Sequence, residues 1–141
     1  MHAADPSFDV NSAHAAIAAA ETLLRVGRPG LGRDRPADYW DVQAVRPLAA
    51  LLFAASPLGN GQGIEWVRAA LDNVDPEDVR SPGWAQAALR CAVSAPVLGR
   101  SVVRALTFDA RQRDSVVAAI RAAISPDELQ GEQRCGYSCS V

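Results

Sequence analysis

Residues 38–56, DYWDVQAVRPLAALLFAAS, constrain the fold more than any other stretch of this chain. At about 100° per residue on a helix, Trp40, Ala44, Leu48, Leu51 and Ala55 share one face, while Val42, Ala49 and Phe53 fall on the opposite one. A helix at the surface of a globular domain keeps a polar back. This one has none, so it is expected at the centre of the molecule with neighbours on both sides. Pro47 has no N–H to give to the carbonyl of Gln43 and its ring presses against that group, which predicts a bend. Asp38 is placed to cap the helix, and Asp41 in its first turn suits the helix dipole. Two carboxylates so placed read as helix-start signals before they read as an acid/base pair.

Helical periodicity covers most of the remaining chain. Asn11 or Ser12 is placed to cap a helix running to about Val26, with Ile17, Ala20 and Leu24 on one face. GRPGLGRDRPAD then interrupts, because its glycines and prolines do not continue a helix. Ile64, Val67, Leu71 and Val74 mark a stripe on a third helix over 64–73, and Pro76 is placed to open one further turn. Trp84, Ala88, Cys91 and Ala95 are in phase up to Pro96. A proline costs a helix interior about 3 kcal/mol, so a kink or a fresh start is expected there, with Leu98, Val102 and Leu106 continuing the stripe. Asp109 and Gln112 resemble a capping box, and Val116, Val117, Ile120 and Ile124 give the helix they open a buried face. Ser125, Pro126 and Glu128 start a short last helix that Gly131 stops. SFDV at 7–10 is the one strand candidate, too short and unpaired to build a sheet. The expectation is an all-α bundle of five or six helices around a central helix at about 38–55. A connection at 1–10 precedes the helical domain of 11–124, and a short helix with a flexible tail follows at 125–141.

Composition narrows the class. A chain of 141 residues fits one domain with a core of useful size, and 49% hydrophobic against 21% charged residues places it among globular proteins. No apolar run approaches the length of a membrane span, and MHAADPSFDV lacks a basic region followed by an apolar block, so the chain reads as soluble and cytoplasmic. All 14 basic residues are arginine. With the many alanines, that bias fits a high-GC coding sequence as readily as a selected surface.

Motifs that carry chemistry do not emerge. GNGQG at 59–63 has neither the lysine nor the preceding strand of a phosphate loop, and reads as a flexible helix connection. No serine stands at a meaningful spacing from a histidine, and His14 near a helix start reads as a surface residue. Cys91 reads as a small buried thiol. Cys135 and Cys139, in CGYSC, lack the two further ligands of a zinc site and read as part of a mobile or non-native tail. No catalytic, cofactor-binding or metal-binding residue is assigned, and the chain is expected not to be an enzyme on its own.

The remaining cue is charge. Arg100, Arg104, Arg111, Arg113 and Arg121 face only Asp109 and Asp114 in their segment, whereas 65–78 holds five acidic residues and one arginine. Arg100 and Arg104, one helical turn apart, form a candidate basic edge with Arg111 and Arg113 for phosphate or an acidic peptide. The plainer reading is a solvated face with i,i+4 pairing. Trp66 and Trp84, near helix starts, read as core anchors rather than stacking platforms.

The acidic residue before an aromatic–Trp pair in DYWDVQAVRPLAALLFAAS, with Ala44 four residues after Trp40 and a Leu/Ala-rich continuation, resembles the all-alpha domain of type IV coupling proteins. These are the hexameric, FtsK-like ATPases of conjugation and type IV secretion, and the Arg/Ala-rich style is similar to actinobacterial members. SFDVNSAHAAIAAAETLL, GIEWVRAAL and RQRDSVVAAIRAAI are similar in order to three further places in that domain, so that the likeness covers roughly residues 7–125. Pro47 departs from its pattern.

The resemblance implies a domain inserted into a RecA-like motor between its two nucleotide-binding motifs, with SFDV as the incoming connection. It also implies a role at the cytoplasmic mouth of the hexamer, in a parent protein anchored at the inner face of the cell membrane. The implied partners are a relaxase–DNA complex, a secreted protein or an adaptor, with DNA contact through the basic edge. No family-wide catalytic residue maps onto this chain. The competing reading is a stand-alone helical regulator that dimerises through an exposed apolar face. Either way, Trp40→Ala should cost roughly 3–5 kcal/mol. Chemical denaturation measures that loss, and an unchanged midpoint would place Trp40 at the surface.

Overall fold

The computed structural model describes residues 6–26 and 39–124, with the backbone alone described at 26 and 39–42. A 3-10 turn at Pro6–Asp9 leads into six α-helices: α1 (Ala13–Val26), α2 (Tyr39–Ala55), α3 (Ile64–Leu71), α4 (Trp84–Ser94), α5 (Pro96–Leu106) and α6 (Ala110–Ala123). There is no strand among the described residues, so the domain is all-α. None of these helices is long and apolar enough to cross a membrane. The Asp38 cap, the Trp40 side chain, the helix expected from Ser125 and the Cys135/Cys139 pair lie outside the described residues.

α2 is the central helix. It packs against each of the other five, and every residue from Pro47 to Ser56 is buried. Leu48, Leu51, Leu52 and Phe53 point in different directions around its axis and are all sealed from solvent. Burying a side chain of this size contributes about 1.5–3 kcal/mol, so the helix gains on all sides from its neighbours. Pro47 lies within an unbroken helix.

The helix boundaries have local causes. Ser12 caps α1, its Oγ accepting from Ala15 N–H at 3.0 Å. Pro96 begins a new helix rather than kinking an old one, since α4 ends at Ser94 and only Ala95 separates it from α5. The Asp109 capping box is formed in both directions: Gln112 N–H donates to Asp109 Oδ1 at 2.8 Å, and Asp109 N–H donates to Gln112 Oε1 at 3.3 Å. α3 stops at Leu71, two residues before its expected end. Pro76 opens a hydrogen-bonded turn, Asp78 N–H to Asp75 O, and no helix.

Side chains hold the α3–α4 connector in shape. Asp78 accepts from the N–H groups of Arg80 and Ser81 and from Asn73 Nδ2, and these bonds hold its carboxyl below the ordinary carboxylate range. Buried Gln86 donates to the carbonyls of Val79, Arg80 and Ser81. Trp84 is fully buried, and its indole N–H reaches the carbonyl of Leu71 at 3.2 Å, satisfying an orphan acceptor at the end of α3. Trp66 is buried as well, so both tryptophans are core anchors.

The glycine-rich segment after α2 corrects the expectation of a flexible connection. The last carbonyls of a buried helix have no water to turn to. Here Phe53 O receives Ser56 N–H and Oγ–H, Ala54 O receives Asn60 N–H at 2.8 Å, and Ala55 O receives Gly63 N–H at 3.0 Å. Ser56 O receives the N–H groups of both Gly59 and Gly61. The loop is a C-terminal cap folded back over the helix end. A Cβ at residue 59 would sit 2.1 Å from the Ala54 oxygen. Gly59→Ala should therefore destabilise the fold by about 2–3 kcal/mol, read as a lower urea midpoint with m unchanged. Gly61→Ala, at φ +71 but in open space, should cost only about 1–2 kcal/mol.

Candidate functional site

α4 and α5 form a close hairpin on one flank of α2. Their stripes, with Trp84, Ala87 and Cys91 on α4 and Leu98, Val102 and Ala105 on α5, are buried. Gly99 sets the spacing between them, because a Cβ there would stand 3.2 Å from the Ala88 carbonyl oxygen and 3.5 Å from the Cys91 Cβ. With no side chain at 99 and only methyl groups at Ala88 and Ala92, the outer seam of the hairpin is a shallow groove of about 520 Å³, lined also by Pro96 and Val103.

Arg100 and Arg104 stand along this groove, both exposed on α5 one turn apart. Neither forms an ion pair among the described residues. Arg104 also borders a second groove, where α1, α2 and α5 meet near Glu21, Arg46 and Pro47. The other two arginines of the expected edge are placed differently. Arg111 is exposed in the first turn of α6 and does not line the groove. Arg113 is half-buried and donates to the Phe108 carbonyl at 3.1 Å, tying α6 to the end of α5. Arg121 pairs with Asp72, so the basic and acidic stretches meet where α6 passes the end of α3. Arg68 pairs with Glu65 and donates to the Ile124 carbonyl.

The apolar character of this face was not anticipated from the chain. Of the large hydrophobic side chains exposed among the described residues, Leu89, Val93, Val97 and Val103 lie on α4 and α5, and Val93 is 90% exposed. Leu58 and Val79, also exposed, border an adjoining recess with Leu89 and Arg90. The signal was available: the buried stripe of α4 runs through 84, 87 and 91, which sends Leu89 and Val93 outward.

No group of three or more His, Cys, Asp and Glu among the described residues is arranged to hold a metal ion. His14 is exposed on α1. No family model, curated protein or solved structure matches the chain.

Cys91 lies beneath the hairpin, fully buried, with its thiol 3.5 Å from the Ala50 carbonyl of α2. Burial pushes this thiol up to about 12 from its ordinary 9.0. The unfolded chain ionises it first, so its contribution to stability is intact below pH 9.0 and is lost as pH rises from there toward about 12. Each unit in that window is worth about 1.4 kcal/mol. Urea unfolding followed through the window should show the decline in the wild type and a flatter profile in Cys91→Ala.

Proposed function

We propose that the chain is a substrate-recognition module of a type IV coupling protein, engaging relaxase–DNA or protein cargo for conjugative transfer or secretion. The observation that carries this reading is the outward face of α4–α5, where uncovered aliphatic side chains adjoin Arg100 and Arg104. Large exposed apolar surface on a folded domain marks an interaction site, and arginine is the side chain best suited to carboxylate and phosphate partners. The resemblance over residues 7–125 supplies the identity of the partners. In this reading the module binds and presents cargo at the cytoplasmic mouth of the hexamer, and the chemistry belongs to the ATPase motor of the parent protein.

The same uncovered aliphatic face favours a second reading, a stand-alone helical regulator that dimerises through it. The coding sequence around this chain separates the two. A phosphate-loop motif upstream and a Walker B strand downstream are expected; stop codons on both sides would overturn the coupling-protein reading. A pull-down with the relaxase or adaptor encoded beside the gene should retain the partner, and Arg100→Ala/Arg104→Ala should weaken retention. If DNA is part of the cargo, binding to it should be weak, sequence-independent and steeply reduced by salt.

A further inference from the structure

We infer that the α4–α5 groove is a docking site for an acidic amphipathic helix, which lays an aliphatic ridge along Ala88, Ala92 and Gly99 and sets carboxylates against Arg100 and Arg104. This deepens the binding-module reading and rests on it.

Charge complementarity selects the occupant. The whole chain carries a net charge of −2, yet residues 84–108 contain Arg90, Arg100 and Arg104 and no acidic residue at all. A nucleic-acid strand would satisfy the arginines but would leave Val103 and the Ala88, Ala92 and Pro96 lining of the groove against a polar backbone. A neutral apolar helix would cover that apolar lining and gain nothing from the arginines. A helix with leucines on one face and flanking glutamates does both.

Shape agrees with this choice. The seam is floored by residues without bulk, and Gly99 allows α4 and α5 to approach closely. A third helix therefore finds a hollow between Ala88 and Ala92 on α4 and Val103, with Arg100 and Arg104, on α5. Helix-in-groove recognition reads such a surface through side chains at i, i+3, i+4 and i+7.

The test uses the protein with two fluorescent helical peptides, identical along the leucine face and carrying either glutamate or lysine on its flanks, and a single-stranded oligonucleotide. The glutamate peptide should bind about tenfold more tightly than the lysine peptide, as expected for two or three partly exposed ion pairs. Arg100→Glu/Arg104→Glu should reverse that preference. Ala92→Trp, which fills the groove without changing charge, should abolish binding of both peptides. All three positions are exposed, and circular dichroism verifies that the helices persist. Equal affinity for the two peptides, no binding of either, or tighter binding of the oligonucleotide that falls steeply with salt would overturn the inference. So would concentration-dependent dimerisation that Ala92→Trp abolishes, since a second copy would then own the groove. The outcome is independent of the flanking coding sequence, so failure here and failure of the coupling-protein reading are told apart.

Discussion

The burial of α2 on every side is the constraint from which the rest of the architecture follows. Ten consecutive residues, Pro47 to Ser56, are withdrawn from solvent, and no single neighbouring helix covers more than part of a cylinder's circumference. Five helices therefore surround it, each contributing one stripe: Ala16, Ala20 and Leu24 from α1, Val102 and Ala105 from α5, Val116 and Ile120 from α6. The outer helices need only be amphipathic, and their charged residues are free to serve other ends. The centre is rich in alanine between its leucines, which lets several helices come near at once. The same burial forces the C-terminal cap, because carbonyls delivered into an apolar interior need donors from the chain itself. Ser56, Asn60 and the glycines of 59–63 supply them.

What could be read from the sequence was what is local. The fresh start at Pro96, the Asp109–Gln112 capping box and the Ser12 cap depend on residues within one turn, and each formed as its chemistry dictates. The all-round apolar character of α2 was likewise legible, because it needs only the period of a helix. The cap at 59–63 was not, since composition cannot tell a floppy glycine loop from one whose glycines are required by the carbonyls they approach. Ile17, Leu106 and Val117 have the right phase but lie at the margin of the core and are only half covered.

The candidate site divides along the same line. Arg100 and Arg104 were paired by helical spacing alone, and spacing suffices on a regular exposed helix. Arg113 sits only two residues from Arg111, yet its guanidinium turns back to the Phe108 carbonyl at the α5–α6 turn. That depends on the path of the turn, which no periodicity encodes. Arg121 finds Asp72 49 residues away, a pairing set by how α6 crosses α3.

The order of the helices along the chain has a consequence for how the molecule is made. When α2 leaves the ribosome, α1 is the only one of its five covering helices already made, and α4, α5 and α6, which close most of its circumference, are still to be synthesised. Translation proceeds at about 5–20 residues per second and exposed apolar surface is prone to association in that interval. The first half of the domain therefore leaves the sides of α2 that α4, α5 and α6 cover open to water until those helices are made. Its most hydrophobic segment spends the seconds before α6 appears as a natural client for chaperones.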